Sequence, residues 1–290
     1  MSDYRHHGRV RRQVRRPVTG AGRAPRLIAS DLDGTLLRPD GTVSERTRRA
    51  LAVLAGSGIE LVFVTARPPR WVDHLADVVG AHGTVICSNG AFVYDVLRRT
   101  VVQAHGISPA TVRAIAADLR AELPGVGFAA ELPDGIRMEK QYPALHLQDV
   151  DLSAGYEAIE VIDVPVGKLL ARSLQVPEAE FLARVAPLVS GRAELAYSGF
   201  GGLAEMGPLG VTKASSLGEW SAERGIPATE VWAFGDMPND LPMLAWAGTS
   251  FAVANAHPDV AAAADRRCPS NAEDGVACVL ESLLPGVLDA

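Results

Sequence analysis

Cysteine is scarce in this sequence. The 290 residues hold three, Cys87, Cys268 and Cys278, with no CxxC pair and no histidine at a spacing that would complete a zinc site. A sparse, odd-numbered set excludes a disulfide framework and points to reduced thiols in a cytoplasmic compartment. Long apolar runs are missing too. None approaches the roughly 20 residues that cross a bilayer as a helix, so the expectation is a soluble, cytoplasmic protein with no membrane partner. Lysine is nearly absent, and arginine carries most of the positive charge. What is present suits a chain that buries a sizeable core: 48% hydrophobic and 21% charged residues, over a length that suggests about two domains.

The net charge of −6 conceals an asymmetry. Residues 1–26 hold eight arginines against the single acid Asp3, near +7, which leaves the remainder near −13. This stretch has no hydrophobic periodicity and ends in Gly, Ala and Pro, so it reads as a disordered basic tail. No apolar core follows its arginines, as a secretory or twin-arginine signal would require. A basic arm can contact nucleic acid, but the acidic body offers a duplex nothing, and nucleic acid is not the expected partner.

From Leu27 onward, short apolar runs alternate with helical patterns. "RLIASDL" precedes "SERTRRALAVLAGSG", a helix that Ser44 can cap and Gly58 can end. "IELVFVTA", the helical "RWVDHLADVVG" and "TVICSNG" come next, and "EVWAFGD" and "SFAVANA" repeat the pattern after the helix "KASSLGEWSAERG". Runs without in/out alternation suit strands buried on both faces, which predicts an α/β fold with a doubly wound parallel sheet. The middle of the chain differs. It offers a hairpin in "FVYDVLRRTVVQ", a helix capped by Ser108 with Pro109 in its first position, and a second hairpin turning at Pro133-Asp134-Gly135. A strand at "VGKLLARS", a helix after Pro177 and a strand near "AELAYSG" complete it. The expected division is a core of residues 27–91 and 207–290 with an α+β cap inserted at 92–206.

Polar residues collect at the ends of the core strands. The first run ends in Asp31 and Asp33, two residues apart and therefore on one side of a strand. The peptide also fits a plain acidic turn, with Gly34 breaking the strand and Thr35 capping the next element. The other runs decide: the second ends in Thr65, the third in Ser88 and Asn89, the fourth in Asp236. In a parallel sheet these ends share the edge where open α/β sheets bind ligands. "GDMPND" adds Asn239 and Asp240, of which Asp240 either caps the next helix or joins the site. Carboxylates gathered without histidine or cysteine call for a hard divalent cation, and Mg²⁺ is the expected cofactor. Lys213 sits in the first turn of a helix capped by Thr212, where a cation opposes the helix dipole at a cost of a few tenths of a kcal/mol. A site holding carboxylates and phosphate offsets that cost.

Taken in order, "DLDGT", Thr65 of "VFVTAR", Lys213 and "GDMPND" resemble the four motifs of the haloacid dehalogenase superfamily. "SNGA" and "VANAHPDV" look like its Cof-like phosphatases, which carry a large α/β cap. The resemblance spans nearly everything from Leu27 onward. Ala66 replaces the more familiar glycine after Thr65, with little effect expected. The resemblance implies a phosphatase of small phosphorylated metabolites, sugar phosphates or cofactor precursors among them, working through an aspartyl phosphate. Asp31 would be the nucleophile and Asp33 the general acid and base. Thr65, with the backbone amides of Leu32 and Ala66, would bind the phosphoryl group, and Lys213 would neutralise its charge. Mg²⁺ would be held by Asp31, the carbonyl of Asp33 and Asp236; Asn239 and Asn89 would touch phosphate, and Asp240 would orient the shell. A phosphomutase-type relative and a non-catalytic phosphate-binding protein share these motifs. Arg67 is open between phosphate and a core acid, and Lys168 between the leaving group and a structural place. His74, His105 and His257 read as surface or packing residues, and Trp71, Trp232 and Trp246 as core or helix packing. "GFGG" at 199–202 reads as a turn.

Overall fold

The computed structural model of the chain describes residues 24–79, 83–143, 156–196 and 202–283. The basic tail expected over residues 1–26 thus lies outside the described residues apart from its last three. There Arg26 belongs to the folded body, its amide bonding the Glu230 carbonyl and its guanidinium the Glu230 carboxylate.

In chain order the elements are β1 (Leu27–Ser30), α1 (Glu45–Ala55), β2 (Glu60–Val64), β3 (Thr84–Cys87), β4 (Phe92–Asp95) and β5 (Thr100–Ala104). Then come α2 (Pro109–Glu122), β6 (Gly127–Leu132), β7 (Gly135–Met138), β8 (Lys168–Arg172), α3 (Glu178–Val189), β9 (Glu194–Ala196) and β10 (Leu203–Gly207). The chain closes with α4 (Lys213–Glu223), β11 (Val231–Gly235), α5 (Leu241–Trp246), β12 (Thr249–Val253), α6 (Pro258–Ala263), β13 (Arg266–Cys268) and α7 (Gly275–Leu283). The caps act as the sequence implies: Ser44 and Ser108 accept amides of the first turns of α1 and α2, and Pro109 opens α2.

The larger sheet runs β13-β12-β11-β1-β2-β3-β4-β5, parallel from β13 to β3. From β1 the chain winds one way through β2 and β3 and, later, the other way through β11, β12 and β13, so the order reverses beside β1. The crevice at such a switch point is where ligands bind. Alternate residues explain why the strands show no polar face. Ile28, Phe63, Val85 and Phe234 pack with residues of α1 and α7 on one side, while Leu27, Ala29, Val62 and Ala233 pack with α4, α5 and α6 on the other. The mixed α/β architecture with a parallel core is as expected.

Two local expectations change. The hairpin of residues 92–104, placed in the cap from sequence, belongs to the core sheet: β4 pairs antiparallel with β3, and β5 with β4. Hairpin periodicity tells which strands pair with each other, not which edge receives them. The short turn Ser88–Gly90 leaves β4 beside β3, the commonest fate of consecutive strands. Among the described residues, the stretch "RWVDHLADVVG" read as a helix forms short 3₁₀ turns at Pro69–Trp71 and Asp73–Leu75 instead, neither closed by a side-chain cap.

A second sheet runs β7-β6-β8-β10-β9 with every pairing antiparallel. Phe128, Ala130, Leu169, Ala171, Ala204 and Met206 pack beneath α2 and α3. Their neighbours in sequence, Glu131, Lys168, Leu170, Leu203 and Glu205, lie on the opposite face by strand alternation. That face lines a cavity shared with the strand ends of the core sheet. Among the described residues no helix is long and apolar enough to cross a membrane.

Candidate active site

Asp31 stands one residue past β1, and its amide donates to the Phe234 carbonyl at 3.0 Å, tying the loop to β11. The chain then turns tightly over Leu32–Leu36 with Gly34 at φ +78°. Glycine is required there: a Cβ on Gly34 would lie 2.2 Å from Asp236 Oδ2, and φ is in the left-handed region. Asn255 Nδ2 fixes the turn from the far side by donating to the Gly34 carbonyl at 2.7 Å.

Lys213 enters from the first turn of α4, where the Thr212 side chain accepts the Ser215 amide. Its Nζ donates to Asp31 Oδ1 at 2.5 Å and to Asp240 Oδ1 at 2.7 Å, and the residue is only 1% exposed. Asp240 Oδ2 accepts the amides of Asp236 and Met237, each at 3.0 Å. Asp240 therefore shapes the loop after β11 and holds the lysine; it makes no side-chain cap to α5. Asp236 accepts from Thr35 Oγ1 at 3.1 Å. One oxygen from each of Asp31, Asp236 and Asp240 falls within 4.8 Å of the others, all three residues being buried.

Three carboxylates facing one ammonium are electrostatically uneven, and this governs the titration of each group. Burial pushes the Asp31 carboxyl up to about 8, a rise that Lys213 opposes and Asp240 and Asp236 reinforce. Asp236 is pushed up to about 6, again first by burial and then by Asp240. Burial alone would lower Lys213, but the charges of Asp240 and Asp31 outweigh it and hold the ammonium charged. Lys213 gains because it serves two acids; Asp31 loses because burial outweighs the one cation it shares with Asp240. An oxygen-only donor set with this excess of negative charge fits a divalent cation. Asp31 and Asp236 each have one oxygen beyond those already bonded to Lys213 and Thr35, and these would hold it.

Thr65 closes β2, fully buried, with its amide on the Ile86 carbonyl. Its Oγ1 accepts the Arg67 amide at 3.1 Å, which leaves the hydroxyl hydrogen to be donated elsewhere. Arg67 pairs here with an acid: Nε and Nη2 grip both oxygens of Asp33, at 2.8 and 2.6 Å. Asp33 is on the cavity rim, its side chain 57% exposed. Asn89 accepts from Asn239 Nδ2 at 3.1 Å. Ser88 and Asn89 both hold left-handed backbone at φ 51° and 57°, conformations that cost of order 1–3 kcal/mol each. That strain lets Gly90 approach the start of α4, where a Cβ would meet the Thr212 carbonyl at 2.5 Å, and it locks the helix that aims Lys213.

Asp31, Asp33, Ala66, Arg67, Asn89, Asp236 and Asn239 thus border one cavity of about 470 Å³. Its other wall was not foreseen: Trp71, Glu131, Leu170, Leu203 and Glu205. Trp71 lines the cavity instead of packing in the core. Lys168, read as open between leaving group and structure, is buried against this wall with Nζ 2.5 Å from Glu205 Oε2. A signal was available, since Glu131 and Glu205 are charged residues inside otherwise apolar strands, and Lys168 opens a strand whose other end is Arg172. His257 accepts the Asp259 amide at the start of α6, and His105 faces Glu219, neither at the cavity. "GFGG" lies outside the described residues except for Gly202.

Residues 28–280 match the family of haloacid dehalogenase-like hydrolases. The chain belongs to that family. Among curated relatives, this hydrolase is 30% identical to the 5-amino-6-(5-phospho-D-ribitylamino)uracil phosphatase of Bacillus subtilis, over 89% of this chain and 97% of that one. It is also 30% identical to the HMP-PP phosphatase of Escherichia coli, over 82% of this chain and 87% of that protein. Among solved structures, a phosphatase of the same superfamily from Bacteroides thetaiotaomicron superposes with a TM-score of 0.74 at 25% identity, covering 92% of this chain and 98% of the other. The sequence resemblance is borne out, and this hydrolase is an enzyme of phosphatase type.

Proposed function

We propose that this hydrolase cleaves phosphate monoesters of small metabolites with Mg²⁺, through a phosphorylated Asp31. The observation that carries the reading is the Lys213 ammonium, buried and bonded to both Asp31 and Asp240, beside an acid cluster at the switch point of the sheet. The catalytic body would comprise residues 27–104 and 207–283, and the cap the segment between them.

In this reading the Asp31 carboxylate attacks phosphorus, forming the Asp31–phosphorus bond as the bond to the leaving oxygen breaks. Asp33 gives that oxygen a proton and then takes one from the water that hydrolyses the acyl phosphate. Arg67, which now holds Asp33, would turn one of its nitrogens to the phosphoryl group and release a carboxylate oxygen for that exchange. The Thr65 hydroxyl and the amides of Leu32 and Ala66 would donate to phosphoryl oxygens, Asn89 and Asn239 would flank them, and Lys213 would balance the charge that develops. Asp31, Asp236 and the Asp33 carbonyl would hold Mg²⁺, which would supply charge neutralisation at the phosphoryl oxygens. The identified relatives are phosphatases of 5-amino-6-(5-phospho-D-ribitylamino)uracil and of HMP-PP, which supports a small phosphorylated metabolite as substrate here.

The test is hydrolysis of p-nitrophenyl phosphate with and without Mg²⁺, followed by a screen of phosphorylated metabolites that measures both free phosphate and isomerised product. Asp31→Asn is expected to lower turnover to background. Activity near wild type in that variant would remove the nucleophile, and isomerised product without free phosphate would replace hydrolysis by a mutase reaction.

A further inference from the structure

The loop that follows β2 exposes three successive carbonyls, and each has a partner. The Thr65 carbonyl accepts the Asn89 amide at 2.9 Å and the Arg67 carbonyl accepts the Ser88 amide at 2.9 Å. Both donors are backbone of the core. The carbonyl between them, Ala66, instead accepts from Lys168 Nζ at 3.0 Å, and Lys168 belongs to β8 of the cap sheet. The middle peptide of the loop is therefore held from the other domain.

That peptide is central to the site. Its carbonyl is the Ala66 oxygen and its N–H is the Arg67 amide, which donates to Thr65 Oγ1. Rotating the plane would release the threonine hydroxyl from its acceptor role and turn the root of Arg67, whose guanidinium grips Asp33. A second contact lands on the same segment: Arg70 of the core pairs with Glu131 of the cap. Glu131 lies directly opposite Lys168 in the register of β6 with β8. Two neighbouring charged residues of the cap thus engage core residues four apart, both just past Thr65. Lys168 and Glu205 are buried together, so the ammonium stays directed by a carboxylate while it bonds Ala66.

We propose that Lys168 is a positioning residue through which cap closure aligns the phosphoryl-binding loop, so that Thr65 and Arg67 are set for reaction only in the closed form. The inference rests on the phosphatase reading above. Lys168 touches no reacting atom in this scheme; it acts through the Ala66–Arg67 peptide. It differs from a leaving-group contact, which would alter only substrates large enough to reach the cap, and from a purely structural ion pair, which would alter stability alone.

The test uses the full chain, p-nitrophenyl phosphate and inorganic phosphate. Removing the lysine alone would leave Glu205 charged in a buried place, so Lys168→Met is paired with Lys168→Met/Glu205→Gln, which removes both charges. With folding verified by melting curves, both variants are expected to lose roughly ten- to a hundredfold in kcat on p-nitrophenyl phosphate, the scale of an ångström-level misplacement. KM should change less than kcat. Inorganic phosphate, titrated calorimetrically with Mg²⁺ present, should bind more weakly to the variants than to wild type. Lys168→Arg, which keeps a donor, should recover part of the loss. If the double variant folds and keeps wild-type kcat and phosphate affinity, the proposal is wrong. It is equally wrong if only bulky substrates are affected. Wild-type turnover and its loss in Asp31→Asn are read in the same assay, so failure of the phosphatase reading is seen separately.

Discussion

At the scale of single residues, the site is a problem of charge in a buried place. Asp31 and Asp236 sit above their ordinary carboxylate range, at about 8 and about 6, first because burial disfavours the ion. The unfolded chain returns both to 3.8. Between those values the metal-free folded state binds protons that the unfolded state releases. Their contribution to stability is thus fully present below the unfolded pKa and is lost as pH rises through about 6 and then about 8. A divalent cation competes with those protons. The melting temperature gained from Mg²⁺ over chelator is expected to be clearly larger near pH 8.5 than near pH 5.5, since ligand stabilisation grows with affinity. An equal gain at both would mean that these carboxylates do not hold the ion.

At the scale of elements, α4 has two tasks, to pack and to deliver Lys213. Leu217 and Trp220 bury its apolar side, while Thr212 and Ser215 exchange bonds across its first turn. Thr212→Ala is expected to cost about 1 kcal/mol of unfolding free energy, the usual worth of such a cap. It should also lower kcat, because the freed turn is the one that carries the ammonium. Ser44→Ala, which uncaps α1 away from the cavity, is the control: similar destabilisation in urea, with turnover unchanged. Equal kinetic effects in the two variants would deny α4 its aiming role. The loop after β2 makes a parallel case, since its outer carbonyls rest on the backbone of the Ser88–Gly90 turn and its middle one on the cap.

At the scale of the whole molecule, two sheets enclose one cavity and the larger one buries two of the three thiols. Cys87 and Cys268 are buried, whereas Cys278 is partly accessible. Burial drives the Cys87 thiol above the usual range and Cys268 up to about 12, so neither supplies thiolate near neutral pH. A thiol reagent coupled to mass spectrometry should therefore mark Cys278 quickly, and the other two only at the rate at which the core opens. Rapid labelling of Cys87, which lies in β3 beneath the strained Ser88–Gly90 turn, would show that this part of the sheet opens locally.

The parallel core strands and the identity of the residues at their ends were readable from the chain alone. Runs such as "LIAS" and "ELVFV" lack a polar face because parallel strands are covered on both sides, and Asp31, Thr65, Asn89 and Asp236 were legible as one edge for that reason. The placing of Lys213 at the start of a helix was legible in the same way. Three-dimensional packing was needed to show that β4 and β5 extend the core sheet, that Arg67 grips Asp33, and that Asp240 holds the lysine instead of capping α5. Packing also brought Lys168 to the Ala66 carbonyl, 102 residues away in the chain. The division has a physical cause. Periodicity and capping are set by neighbours a few positions apart, whereas a hydrogen bond between a cap strand and a core loop depends on how two separately folded sheets face each other.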